Sequence, residues 1–137
     1  MSARFRGVLV GIVATAMVLA VASSNAFSSS PRLTGSWSGS MTPGSGSTAQ
    51  RHRLRIVVNA SERGGSWRIS ARCQGPLRLK NISNGYHHYV EEVAPGATCL
   101  GGGIDCLKRV GGGLYDTFSS RPGTDADSDG TLHRSAD

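Results

Sequence analysis

The chain reads as all-β: a small antiparallel β-barrel of about seven or eight short strands after an N-terminal signal helix. Three observations predict this. Past residue 22 no stretch keeps a helical period. Apolar residues recur instead with the two-residue period of half-buried strands, and glycine- or proline-rich turns separate these runs at about 8–12-residue spacing. A barrel is preferred to a sandwich because a small sheet must hide its edges.

The amino terminus is read first. Arg4 and Arg6 precede a 16-residue apolar run, 7–22, that ends in Ala20-Val21-Ala22. A basic start, an apolar stretch and a small-x-small site are the parts of a secretory signal peptide. The run is shorter than the roughly 20 residues of a membrane-spanning helix; an uncleaved anchor is the alternative, and Ala26 offers a second cleavage site. Cleavage after Ala22 leaves 115 residues and lowers the formal charge from +6 to +4. The expected layout is a signal peptide over 1–22, a flexible leader over 23–34 and one barrel domain over 35–137, secreted to the cell envelope or beyond.

The strands follow in order. Residues 36–41 carry Trp37 on one face. Residues 51–59 place Leu54, Ile56 and Val58 on one side and Arg53 and Arg55 on the other. Gly64-Gly65 is expected to turn the chain into 66–72, where Trp67, Ile69 and Ala71 oppose Arg68 and Arg72. Residues 76–82 set Leu77 and Leu79 against Arg78 and Lys80. Asn84-Gly85 is a hairpin signal, since both residues tolerate positive φ, and leads into 86–93. Residues 104–110 and 114–119 flank Gly111–Gly113, and 131–134 forms a last short strand. The three cysteines, Cys73, Cys99 and Cys106, allow three single pairings, each leaving one thiol over.

Several of these segments together resemble a known group. They are Gly35-Ser36-Trp37, then Gly64-Gly-Ser-Trp-Arg-Ile, Cys73 before Gly75-Pro-Leu-Arg-Leu, Glu91 before Cys99, and Asp129-Gly-Thr-Leu. From about Leu33 to Arg134 the chain resembles small exported β-domains of actinobacteria, found alone or as the extracytoplasmic C-terminal end of some serine/threonine kinases. The resemblance implies a lipocalin-like barrel and a Cys73–Cys99 disulfide, and no activity. Cys106 departs from that pattern and is expected to be free or paired between chains. The Gly-x-Trp opening is also similar to lipocalins and to small barrel inhibitors of metalloproteases.

Charge patterning allows two readings, an ordinary solvated face kept soluble by arginine or a binding surface. If the alternation holds, Arg53, Arg55, Arg68, Arg72, Arg78 and Lys80 tile one outer face, which attracts anionic polymers in a salt-dependent way. Anionic envelope polymers, acidic lipid headgroups (a peripheral membrane contact) or an acidic protein are the expected partners. Nucleic acid is not, because no aromatics interleave the cations to stack bases. Trp37, Trp67, Tyr89 and Glu91, with Leu54 and Ile56, either fill the small barrel or line a pocket for a small apolar ligand. A protease inhibitor acting through the leader is the third class. Oligomeric state is left open.

Glu91 shares its parity with Tyr89, so an inward carboxylate needing a partner or a proton is expected. His87 and His88 point to opposite faces, and His52, His133 and Cys106 have no partner visible in sequence. Asp125, Asp127 and Asp129, with Gly130, match the first half of a calcium loop, but Ala136 stands where its bidentate acid belongs. An acidic turn at Asp129-Gly130 is the preferred account. No cofactor is expected, and no serine-hydrolase, zinc-protease, phosphate-loop or dinucleotide motif occurs.

Overall fold

Alternation along eight strands builds the wall of a closed barrel. In this computed structural model, which describes residues 31–48, 50–97, 99 and 102–136, the strands are β1 (Gly35–Pro43), β2 (His52–Val58), β3 (Gly64–Ser70), β4 (Cys73–Ser83), β5 (Tyr86–Glu91), β6 (Ile104–Val110), β7 (Gly113–Ser119) and β8 (Ser128–Arg134). Each pairs antiparallel with its chain neighbours, and β8 returns to β1, so no edge is left open. The signal segment and most of the leader lie outside the described residues.

Inward positions carry the core. Trp37, Leu54, Ile56, Trp67, Tyr89 and Leu107 are each at most 2% exposed. Asn84 and Gly85 both take positive φ (52° and 78°), and Ser83 pairs with Tyr86, as the hairpin signal requires. The turn expected at Gly64-Gly65 falls elsewhere. Residues 59–63 form it, with Glu62 at φ 58°, and both glycines belong to β3. They are needed for close approach instead: a Cβ on Gly64 would lie 2.7 Å from the Leu77 carbonyl oxygen, and one on Gly65 would strike that of Val57.

Two bulges adjust the alternation. One lies between Arg68 and Ser70, and it leaves Ile69 37% exposed rather than buried. The other, between Leu79 and Asn81, makes Lys80 the unpaired extra residue of β4.

Cys73 and Cys99 form a disulfide with a Cα separation of 5.3 Å, and Cys106 is free. The bridge ties the chain beyond β5 to the start of β4 and suits an oxidising compartment. Replacing both cysteines by serine should lower stability by about 3 kcal/mol in urea unfolding, through a less restricted unfolded chain. An unchanged midpoint would show that the bridge adds nothing to the fold.

Candidate functional site

The outer face of β2, β3 and β4 gathers arginine. Arg55 stands directly opposite Arg68 in the β2–β3 register, and Arg53 lies two positions along β2 on the same side. Two shallow grooves flank this pair. One, of about 410 Å³, runs past Val57, Ser66, Gln74 and Ala94; the other, of about 290 Å³, runs past Ser38, Arg53 and Ser135. Arg55 and Arg68 border both. Arg68 is held by its Nε, which donates to Gln74 Oε1 at 2.7 Å. Arg72 is exposed in the two-residue turn between β3 and β4. Arg78 is neutralised: its Nε lies 2.8 Å from Glu92 Oε1. Lys80 is exposed at its bulge. By position the six expected cations divide into Arg53, Arg55 and Arg68 together, Arg72 and Lys80 apart from them, and Arg78 beside Glu92.

The interior holds a diagonal of three acids that the alternation only partly announced. Glu91 on β5, Asp105 on β6 and Asp116 on β7 all point inward and are 4%, 0% and 0% exposed. Neither oxygen of Asp116 meets a hydrogen-bond partner, and Asp105 meets only the carboxyl of Glu91. Burial, joined by the neighbouring Asp105, raises Glu91 to about 10. Burial likewise raises Asp105 to about 7, against a lowering contact with Glu91, and raises Asp116 well above the ordinary carboxylate range. Glu91 and Asp105 also border a cavity of about 70 Å³ near one end of the barrel. Met41, Leu54, Trp67 and Phe118 supply its apolar walls, and His52, Ile69 and Cys73 complete it.

The opposite end is closed by stacking. Trp37 lies under two guanidinium groups, with Arg134 Cζ 4.2 Å and Arg109 Cζ 4.6 Å from its ring centre. Its indole Nε1 donates to the Leu33 carbonyl at 2.7 Å. Gly35 must lack a side chain because Arg134 lies where its Cβ would be, and its φ is 118°. Glu62 fastens the segment before β1: its Oε1 accepts from the Leu33 N–H at 2.6 Å and from the Thr34 N–H at 3.3 Å. Tyr89 Oη donates to the Glu62 carbonyl at 2.7 Å, and burial pushes its hydroxyl up to about 12. Of the residues expected to line a pocket, Trp67 and Glu91 border the cavity, while Trp37 and Tyr89 sit in this packed end.

The histidines differ in surroundings. His87 stacks on Tyr89 with ring centres 6.3 Å apart, and burial lowers its pKa. His88 faces outward, with Nδ1 3.2 Å from Cys106 Sγ and Nε2 2.8 Å from Ser83 Oγ. Cys106 thus has the histidine partner that sequence did not reveal, since strand pairing sets it opposite His88. Burial raises its thiol, which leaves little thiolate and a weak nucleophile. His52 Nδ1 lies 2.9 Å from the Gln50 carbonyl oxygen, and His133 is exposed on β8.

The acidic segment near the end is not a turn at Asp129-Gly130, because both residues lie in β8, opposite Thr117 and Asp116. Asp127 Oδ2 accepts from the Ser120 N–H at 2.6 Å, and Asp129 Oδ2 accepts from Tyr115 Oη at 3.1 Å, while Asp125 is exposed. Among the described residues no group of three acids, histidines or cysteines is placed to hold a metal ion. No family model, no curated protein and no solved structure matches this chain.

Proposed function

We propose that this protein is an exported, non-catalytic binding module that docks on an anionic polymer of the cell envelope through Arg53, Arg55 and Arg68. The single observation that carries this reading is the Arg55–Arg68 pair, two like charges set directly opposite each other between two grooves. A polymer bearing phosphate or carboxylate groups matches this arrangement, because guanidinium forks suit those groups well. Arg72 and Lys80 extend the field, and Arg78 is paired with Glu92.

The eight-stranded up-and-down barrel opening on Gly35-Ser36-Trp37 supports the lipocalin-like reading of the fold. Carriage of a small apolar ligand draws less support, because Trp37 and Tyr89 pack solidly and the enclosed cavity is only about 70 Å³.

The test is charge reversal. Replacing Arg53, Arg55 and Arg68 together by glutamate should reduce retention on isolated envelopes at least tenfold, while Arg78→Glu should have little effect. Circular dichroism checks that the triple variant keeps its strands. Equal retention of a folded triple variant and the parent would refute the docking face.

A further inference from the structure

We infer that the acid-lined end of the barrel is a binding site for a small organic cation, a short protonated amine received by Glu91 and Asp105. The inference is independent of the docking face. It starts from Asp105, which is fully buried, borders the cavity and meets no hydrogen-bond donor other than the neighbouring Glu91 carboxyl. Buried carboxyl oxygens nearly always find donors, and protonation supplies one proton to one oxygen only. The cavity has the missing partner's outline. Its acids lie together, and Met41, Leu54, Trp67 and Phe118 offer apolar surface for a carbon chain.

Size narrows the ligand. Liquid water takes roughly 30 Å³ per molecule, and an engineered cavity of about 150 Å³ admits benzene. A space of about 70 Å³ therefore suits an amine of a few heavy atoms, not a lipid. An ammonium group presents three donors to carboxylate oxygens, and the Trp67 ring adds attraction for a cation. A divalent metal fits less well: calcium takes six to eight oxygens, and no group of three metal-ligating side chains converges among the described residues. The protein does not supply the cation itself. Arg109, the inward arginine of β6, lies over Trp37 instead, and no ion pair joins it to the three acids among the described residues. Asp116 lies one strand away, on β7.

Thermal unfolding of the whole mature protein at mildly alkaline pH, with methylammonium, ethylammonium and propylammonium as probes, tests the site. At saturation one of these should raise the melting temperature by on the order of 5 °C. It should also change the emission of Trp67, read in a Trp37→Phe background. Ethanol and propanol, of matching size, should do neither. Asp105→Asn and Glu91→Gln, which keep shape and remove the ionisable carboxyl, should weaken the amine at least tenfold while the barrel still melts cooperatively. Three results would overturn the inference: no response to any amine, an equal response to the alcohols, or full response in a folded Asp105→Asn variant. A matching response to sodium or calcium would also overturn it, by assigning the acids to an inorganic ion.

Discussion

Replacing Trp37 by alanine is expected to lower stability by about 3–5 kcal/mol, the usual range for emptying a buried tryptophan site. Three losses coincide there. The fully buried ring leaves a void at the closed end, the Leu33 carbonyl loses its indole donor, and Arg109 and Arg134 lose the surface that both guanidinium groups cover. Buried Arg109 Nε and Nη1 already lack hydrogen-bond partners, so their packing against the ring matters more. Phenylalanine at 37 keeps part of the stacking and should cost roughly half as much. Urea unfolding separates the two variants. A Trp37→Ala loss below about 1 kcal/mol would show that the closed end is not a stabilising centre.

A second large effect is expected from pH. The folded protein holds protons on Glu91, Asp105 and Asp116 above the range where an unfolded chain releases them. Raised carboxyl pKa values mean that the native state binds more protons from about pH 4 upward, so stability falls as pH rises through that window. For each proton retained the slope is about 1.4 kcal/mol per pH unit, which gives roughly 3 kcal/mol between pH 5 and pH 7. Asp105, raised to about 7, completes its own contribution near that pH, and Glu91, raised to about 10, extends the decline beyond it.

His52 borders the same cavity, and Arg109 lies further along β6. Two further groups bear on this slope. His87, lowered by burial, works oppositely: its neutral form favours the fold above the ordinary histidine range and costs stability as pH falls below it. Asp127, lowered by its Ser120 contacts, acts only near the ordinary aspartate range. Asp105→Asn and Asp116→Asn should therefore flatten the profile and, near pH 8, be more stable than the parent by about 1–3 kcal/mol each. A parent whose stability is flat or rises between pH 5 and pH 8 would contradict the assignment of these acids.

Local signals carried far along this chain. Asn84-Gly85 specified its hairpin because positive φ at two successive positions is a property of those residues themselves. Residues 52–58 announced their inward face through Leu54, Ile56 and Val58. Alternation alone does not say which face of β6 turns inward. Ile104, Cys106 and Val110 look like the apolar side, yet Asp105, Leu107 and Arg109 fill the interior, and Val110 is 54% exposed. The three acids come together only when β5, β6 and β7 stand side by side, so no window of sequence contains them. Gly64-Gly65 misled for a related reason: glycine serves close backbone approach as well as turns, and the Leu77 and Val57 carbonyls that demand it are distant in sequence. The Arg78–Glu92 pair, 14 residues apart, removed one cation from the expected face in the same way. The signal-peptide reading of 1–22 lies outside the described residues.

The docking claim is tested most directly by retention of the mature protein on its producer's envelopes, separated into wall and membrane fractions, over a salt series. Retention on the wall fraction should fall steeply as salt rises, and should be lost at low salt when Arg53, Arg55 and Arg68 become glutamate. Retention independent of salt, or none even at the lowest ionic strength, would contradict it.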